Sequence, residues 1–352
     1  MIRTALTMSL SAIALVGHSA DVTVFMYSEY IHPDIAKEFT AATGMSCDIQ
    51  VYEAQEDMLA KLKTGGSGQY DVIVATDVMI PQLVGLDLVQ PLDKAKLKHL
   101  GNLDPSLMNQ SYDKDNRHSV PYFWGTVGML YRVDAVRTPA TWKWFFDPAQ
   151  QPGPFVIMDE ARTTLACANL AIGKDFNDRT ASALPLVIKA LAAAKKSPKS
   201  LGFDGGVGGK NKVVSGEAAV AMVYNGDAVT AIRERAEART KGATEPALAF
   251  AIPVEGSNIW VDCMLVTKGS KNVDGAHRFI DYLSDAAVAA KNANHMHYAT
   301  PVAAAKPMIE KDDLADTAIY PDAETMKRLH YIADPGKDQT LLDAAWTKVK
   351  GD

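Results

Sequence analysis

The period of the hydrophobic pattern changes repeatedly along this chain, and that limits the fold more than any other feature. Six residues rich in β-formers, Val-Thr-Val-Phe-Met-Tyr at 22–27, are followed at 33–43 by apolar side chains spaced as on a helix face, Ile35, Phe39 and Ala42. Pro33 suits the first turn of that helix and Gly44 its stop. Cys47, Ile49 and Val51 then alternate with Asp48 and Gln50, as in a half-buried strand, and Met58, Leu59 and Leu62 mark a second helix ending at Gly65-Gly66. Tyr-Asp-Val-Ile-Val-Ala at 70–75 is a run of the kind buried on both faces of a parallel sheet. This βαβαβ order predicts a crevice at the carboxyl ends of the strands, where ligands usually sit.

The same grammar returns later. A strand at 155–158 runs into a helix with acids at its start, Asp159 and Glu160, and Gly173 at its end. A strand at 220–224 meets Asn225-Gly226-Asp227 at the opening of another helix, and strands at 248–253 and 259–266 complete the set. The punctuated stretches 150–154 and 201–212 read as loops. The expectation is an α/β protein of two lobes, and 352 residues suffice for two domains.

Composition narrows the function classes. Hydrophobic residues are 47% and charged residues 22%, which supports a folded core and excludes wholesale disorder. The formal charge is −6, with no basic block to neutralise a run of phosphates, so nucleic acid is not an expected partner. Cys47, Cys167 and Cys263 lie far apart, without the short spacing of a zinc site or a redox dithiol, and read as small apolar core residues. Arg3, an apolar stretch at 5–16 and Gly-His-Ser-Ala at 17–20 read as a secretory signal peptide over 1–20, too short for a bilayer-spanning helix. The mature chain is then expected to start near Asp21 and to be exported to the periplasm.

Nine short motifs carry a resemblance. Val24-Phe25-Met26-Tyr27-Ser28-Glu29-Tyr30, Leu59-Ala60-Lys61-Leu62-Lys63, Tyr70-Asp71-Val72-Ile73-Val74, Pro121-Tyr122-Phe123-Trp124-Gly125, Gly216-Glu217, Tyr224-Asn225-Gly226-Asp227, Trp260-Val261-Asp262, Tyr320-Pro321-Asp322-Ala323-Glu324 and Ala345-Trp346-Thr347-Lys348-Val349-Lys350 stand in register over essentially the whole mature chain. In this the sequence resembles the spermidine/putrescine-binding proteins of bacterial polyamine ABC importers. The resemblance implies a type II, two-lobed periplasmic binding protein whose hinge strands join lobes of 21–125 plus 258–301 and 126–257 plus 302–352. It also implies a small amine held between the lobes, an inner-membrane permease with its ATPase subunits as partner, a monomer, and neither a cofactor nor catalysis.

The chemistry of a diamine fits the residues that match. Two ammonium groups on an apolar tether need carboxylates at the ends and aromatic faces along the middle. By the resemblance, Tyr27, Ser28, Glu29 and Tyr30 lie at the end of the first strand, Thr76 follows the third, and Tyr224 and Trp260 flank the methylenes. Asp227, Asp262 and Glu160 are the expected ammonium partners. Each has a plainer competitor: Asp227 as a helix cap, Glu160 as a dipole partner, Glu29 as surface charge, the aromatics as core. Asp262 sits inside an apolar strand, where a carboxylate is costly unless paired.

Three positions depart from the resemblance. Thr163 stands where a second acid is expected, Val78 where some members have Tyr, and Ile332 where some have Gln. Asp77 is an extra acid that compensates if it faces the cleft. A putrescine-like ligand therefore fits better than spermidine, with a zwitterion such as γ-aminobutyrate or an aminophosphonate as the alternative, its anionic end answered by Arg162. An exported enzyme is the remaining class, but its local signatures are absent: there is no HExxH, and Gly65-Gly66-Ser67-Gly68-Gln69 lacks the last glycine of a nucleophile elbow. Gly205-Gly206-Val207-Gly208-Gly209-Lys210-Asn211 lacks both the first glycine and the Ser or Thr of a phosphate loop and reads as a flexible loop. His295 and His297 could share a strand face, without a third metal ligand at a recognisable spacing.

Overall fold

A computed structural model describes residues 20–136 and 139–351, so the expected signal peptide lies outside the described residues except for Ala20. The strands are β1 (Val22–Tyr27), β2 (Cys47–Tyr52), β3 (Val72–Thr76), β4 (Ser119–Arg132), β5 (Phe155–Met158), β6 (Ser200–Asp204), β7 (Val220–Tyr224), β8 (Leu248–Ala251), β9 (Ser257–Val266) and β10 (Leu329–His330). They form one path in the order β2-β1-β3-β9-β4-β7-β5-β6, with β8 on β4 and β10 on β9. The β2-β1-β3 and β6-β5-β7 sets are parallel, as their helical crossovers require, and β9 and β4 run antiparallel between them.

β4 joins the two sets. Its first half, Ser119 to Thr126, pairs with β9, and its second half, Val127 to Tyr131, pairs with β7. Almost every residue of this 14-residue strand is buried, as befits a strand covered on both faces. One core gathers Val24, Phe39, Val72 and Phe279 around β1 and β3, and another gathers Trp142, Phe155, Leu191 and Met222 around β5 and β7. Residues just beyond 301 stay with the first of these: Val302, Ala305 and Ile309 pack beside Val24 and Phe279.

Two expectations are corrected. The stretch read as a flexible loop is β6 followed by a helix, Gly206–Val214. Glycine weakens a helix, but here it permits close packing: a Cβ at Gly209 would sit 3.3 Å from that of Ala221 and 3.6 Å from Val156. Tertiary contact outweighs propensity. His295 lies on the helix Ala286–Met296 and His297 is its left-handed cap, so they share no strand face; His297 Nδ1 lies 2.8 Å from Asp313 Oδ2.

Candidate functional site

A cleft of about 460 Å³ lies where the ends of β1 and β3 face the start of the helix after β5, the end of β7 and the middle of β9. Eight of the ten expected residues line it: Tyr27, Ser28, Tyr30, Thr76, Glu160, Tyr224, Trp260 and Asp262. β9 supplies the centre. Asp262 pairs with Thr76 of β3 on one side and Phe123 of β4 on the other, and Trp260 pairs with Gly125. A Cβ at Gly125 would overlap both the indole of Trp260 and the carboxamide of Asn225, which explains the glycine that ends the Pro-Tyr-Phe-Trp-Gly motif.

The aromatic walls hold one another in place. Trp260 meets Tyr224 edge-on with centroids 6.1 Å apart and Tyr298 at 5.7 Å; Tyr298 meets Tyr30 at 5.8 Å, and Tyr30 meets Tyr27 at 5.5 Å. Such edge-to-face pairs each contribute about 0.5–1.5 kcal/mol beyond area burial. Gly226 lets Tyr298 lie over the start of the helix Asn225–Thr240, because any Cβ there would strike the phenol. Trp260 Nε1 is buried with no partner among the described residues.

The carboxylates differ in their surroundings. Asp262 is 5% exposed; its Oδ2 accepts a 2.6 Å hydrogen bond from the Tyr30 hydroxyl, and its Oδ1 is buried without a partner among the described residues. Burial pushes its carboxyl up to about 7, with the Tyr30 hydroxyl pulling the other way. Asp77, which the sequence left conditional, does line the cleft; burial and then the Asp262 charge raise its carboxyl well above the ordinary range. Glu160 Oε2 accepts from the Tyr224 hydroxyl at 2.6 Å. Burial, and next the Glu160 charge, raise that hydroxyl, so Tyr224 is the donor at neutral pH.

Two expected residues are not among the side chains that line this cleft. Glu29 is exposed in a turn, with φ of 51°, between the buried Tyr30 and the strand end. Asp227, in the first turn of its helix, is drawn to Lys210 Nζ, 3.7 Å away on the helix that had been read as a loop. Burial raises its carboxyl and Lys210 lowers it. Arg162 lines a neighbouring cavity rather than this cleft, donating to Gln339 Oε1 at 2.6 Å and to the Val78 carbonyl.

Gln55, Val207, Asn258 and Tyr298 also line the cleft and were not expected. Gln55 grips Thr76 twice at 3.1 Å, through its backbone N–H and its hydroxyl, which fixes the end of β3. The three departures, Val78, Thr163 and Ile332, all face the cleft.

The chain belongs to the bacterial extracellular solute-binding proteins: the sequence model of that family matches residues 34–321. Its fold is that of the two-lobed periplasmic binding proteins. A crystal structure of the spermidine/putrescine ABC transporter substrate-binding protein PotD from Streptococcus pneumoniae superposes with a TM-score of 0.83, at 28% identity over 95% of this chain and 99% of that one. The spermidine/putrescine-binding periplasmic protein of Escherichia coli K12 is 29% identical over 93% of this chain and 91% of its own length. The putrescine/cadaverine-binding protein of Pseudomonas aeruginosa is 32% identical over 93% and 92%.

Proposed function

We propose that the chain is the exported, periplasmic binding component of an ABC importer and captures a short diamine of the putrescine type. One observation carries this: the cleft is lined by three carboxylates, Asp77, Glu160 and Asp262, and by Tyr27, Tyr30, Tyr224, Trp260 and Tyr298, with no lysine, arginine or histidine among the described residues that line it. Carboxylate oxygens accept from ammonium groups at the ends, and the rings cover the methylenes between. Relatives whose names give putrescine, cadaverine or spermidine as ligand support the same reading.

A zwitterion would bring a carboxylate into a cleft whose described lining offers it no cation, since Arg162 lines a neighbouring cavity and is engaged with Gln339 and the Val78 carbonyl. A triamine needs a further polar partner, and Val78, Thr163 and Ile332 leave Glu160 as the acid at that end. The lobes are proposed to close about β4 and β9, with 302–309 moving beside 21–125 and 258–301. Ligand touching both lobes then stabilises the closed form by its differential affinity, and the permease reads that form. The protein acts as a monomer and releases its ligand unchanged.

Isothermal titration calorimetry tests this. Putrescine should bind in the micromolar range or tighter, about −8 kcal/mol or better, with spermidine about tenfold weaker and γ-aminobutyrate weaker still. Tighter binding of γ-aminobutyrate than of putrescine, or turnover of either, contradicts the proposal.

A further inference from the structure

Asp77 gains a role of its own once the cleft is read as an amine site, and the argument rests on that reading. Thr76 and Asp262 face each other across the β3–β9 ladder, and Asp77 follows Thr76, so a second carboxylate reaches the wall that Asp262 occupies. Asp77 is 2% exposed. The backbone N–H groups of Val78 and Val261 pull the Asp77 carboxyl down against burial, and the Tyr30 hydroxyl donates to Asp262, while Asp262 Oδ1 has no partner among the described residues. No cationic side chain lines the cleft to offset the two charges. Like charges that share a desolvated site hold on to a proton, and the proton belongs to the pair rather than to either member.

We propose that Asp77 and Asp262 form a carboxylate pair that keeps one proton in the ligand-free protein and gives it up to solvent when a primary ammonium group seats against them. The charges balance. A singly protonated pair of charge −1 meets R–NH3+, and the products are a doubly ionised pair with R–NH3+ bound and one H+ in the buffer. Asp77 is thus a specificity-determining residue, since a second carboxylate favours a ligand that brings its own full positive charge and three N–H donors.

The other titratable groups around the pair do not supply this proton. Tyr27, Tyr30, Tyr52, Tyr122, Tyr224 and Tyr298 face Asp262, and Tyr112, Tyr331 and Cys263 face Asp77; all are raised, chiefly by burial, and stay neutral near physiological pH. Glu160, across the cleft, acts on Asp77 in the same direction as Asp262 does.

The test is calorimetric titration of the whole protein with putrescine at about pH 8, where a lone Asp262 would be ionised and the pair would not. Two buffers of different ionisation enthalpy, neither a primary amine, count the protons. The wild type should release close to one proton per putrescine, and its Kd should tighten by up to about tenfold per pH unit around pH 8. Asp77→Asn should release almost none at about pH 8, and its Kd should level off there; a merely structural Asp77 would not alter the proton count. Asp262→Asn serves as the second variant: burial still raises Asp77 there, but without the Asp262 charge its proton release should fade at a lower pH than in the wild type, and an unshifted profile would overturn the pair. Putrescine binding with equal enthalpy in both buffers, or Asp77→Asn retaining wild-type release, overturns the proposal while leaving the amine reading intact. No putrescine binding at any pH overturns both.

Discussion

Tyr30→Phe removes a single hydroxyl, and the structure assigns that hydroxyl a definite energy. At 2.6 Å it is the donor to Asp262 Oδ2, and Oδ1 has no partner among the described residues, so the variant leaves a buried carboxylate without a side-chain donor. A hydrogen bond to a charged group is worth about 1.5–3 kcal/mol, or about 10- to 150-fold in Kd. The phenyl ring would keep its edge contacts with Tyr27, Tyr122, Phe123 and Tyr298, so packing changes little. The same hydroxyl pulls the Asp262 carboxyl down to about 7 against burial; without it the group titrates higher, and near neutral pH an ammonium must expel a more firmly held proton. Calorimetry with putrescine at about pH 7 should show Kd weakened by about 10- to 150-fold. Part of the deficit should return at about pH 9, where more of the carboxyl is ionised. A variant Kd within about twofold of wild type at both pH values would refute the reasoning, since no hydrogen bond to a desolvated charge is worth so little.

Trp260→Ala opens a wall of the cleft and should weaken putrescine by about 2 kcal/mol, the scale of a desolvated cation–π contact, as titration would show. Gly125→Ala drives a methyl group into Trp260 and Asn225 and should destabilise the fold by about 1–3 kcal/mol, read from denaturant unfolding. Asp227→Asn, which removes the partner of Lys210, should leave the putrescine Kd within about threefold of wild type, because Asp227 is not among the side chains lining the cleft and a partly exposed ion pair contributes at most about 1 kcal/mol. For stability the sign follows from the raised Asp262 carboxyl. The folded state binds this proton more tightly than the unfolded chain, so stability is full below about pH 4, the unfolded value, and is lost as pH rises through about 7. Calorimetric melting of the ligand-free protein should show Asp262→Asn gaining on wild type across that window; a constant difference would count against it.

Several features were legible because a local rule and the fold agree. A carboxylate in Ile259-Trp260-Val261-Asp262-Cys263-Met264-Leu265 breaks an apolar strand, and the structure buries that carboxylate in the cleft wall. The βαβ alternation places Tyr27 and Thr76 at strand ends, as parallel crossovers demand. Tyr298 carried no such signal. It follows a left-handed cap at His297, outside any periodic run, and reaches the cleft because Gly226 makes room for it. Val207 was hidden in a glycine-rich stretch whose helix is decided by packing against Ala221 and Val156 rather than by propensity. The Asp227–Lys210 pair was hidden for the same reason, since Lys210 stands on that helix. Glu29 stands between Tyr27 and Tyr30 in sequence, next to Ser28, but the turn it occupies leaves it exposed.

The central claim is that ammonium groups meet carboxylates at separated points of one aromatic-walled cleft. A crystal structure of the putrescine complex tests it most directly. One nitrogen should lie within hydrogen-bonding distance of Asp262 and Asp77, the other beside Glu160, and the methylenes between Trp260 and the tyrosines. Putrescine seated instead against Asp227 or Glu29, or absent from the cleft in a complex that binds it in solution, would contradict the account.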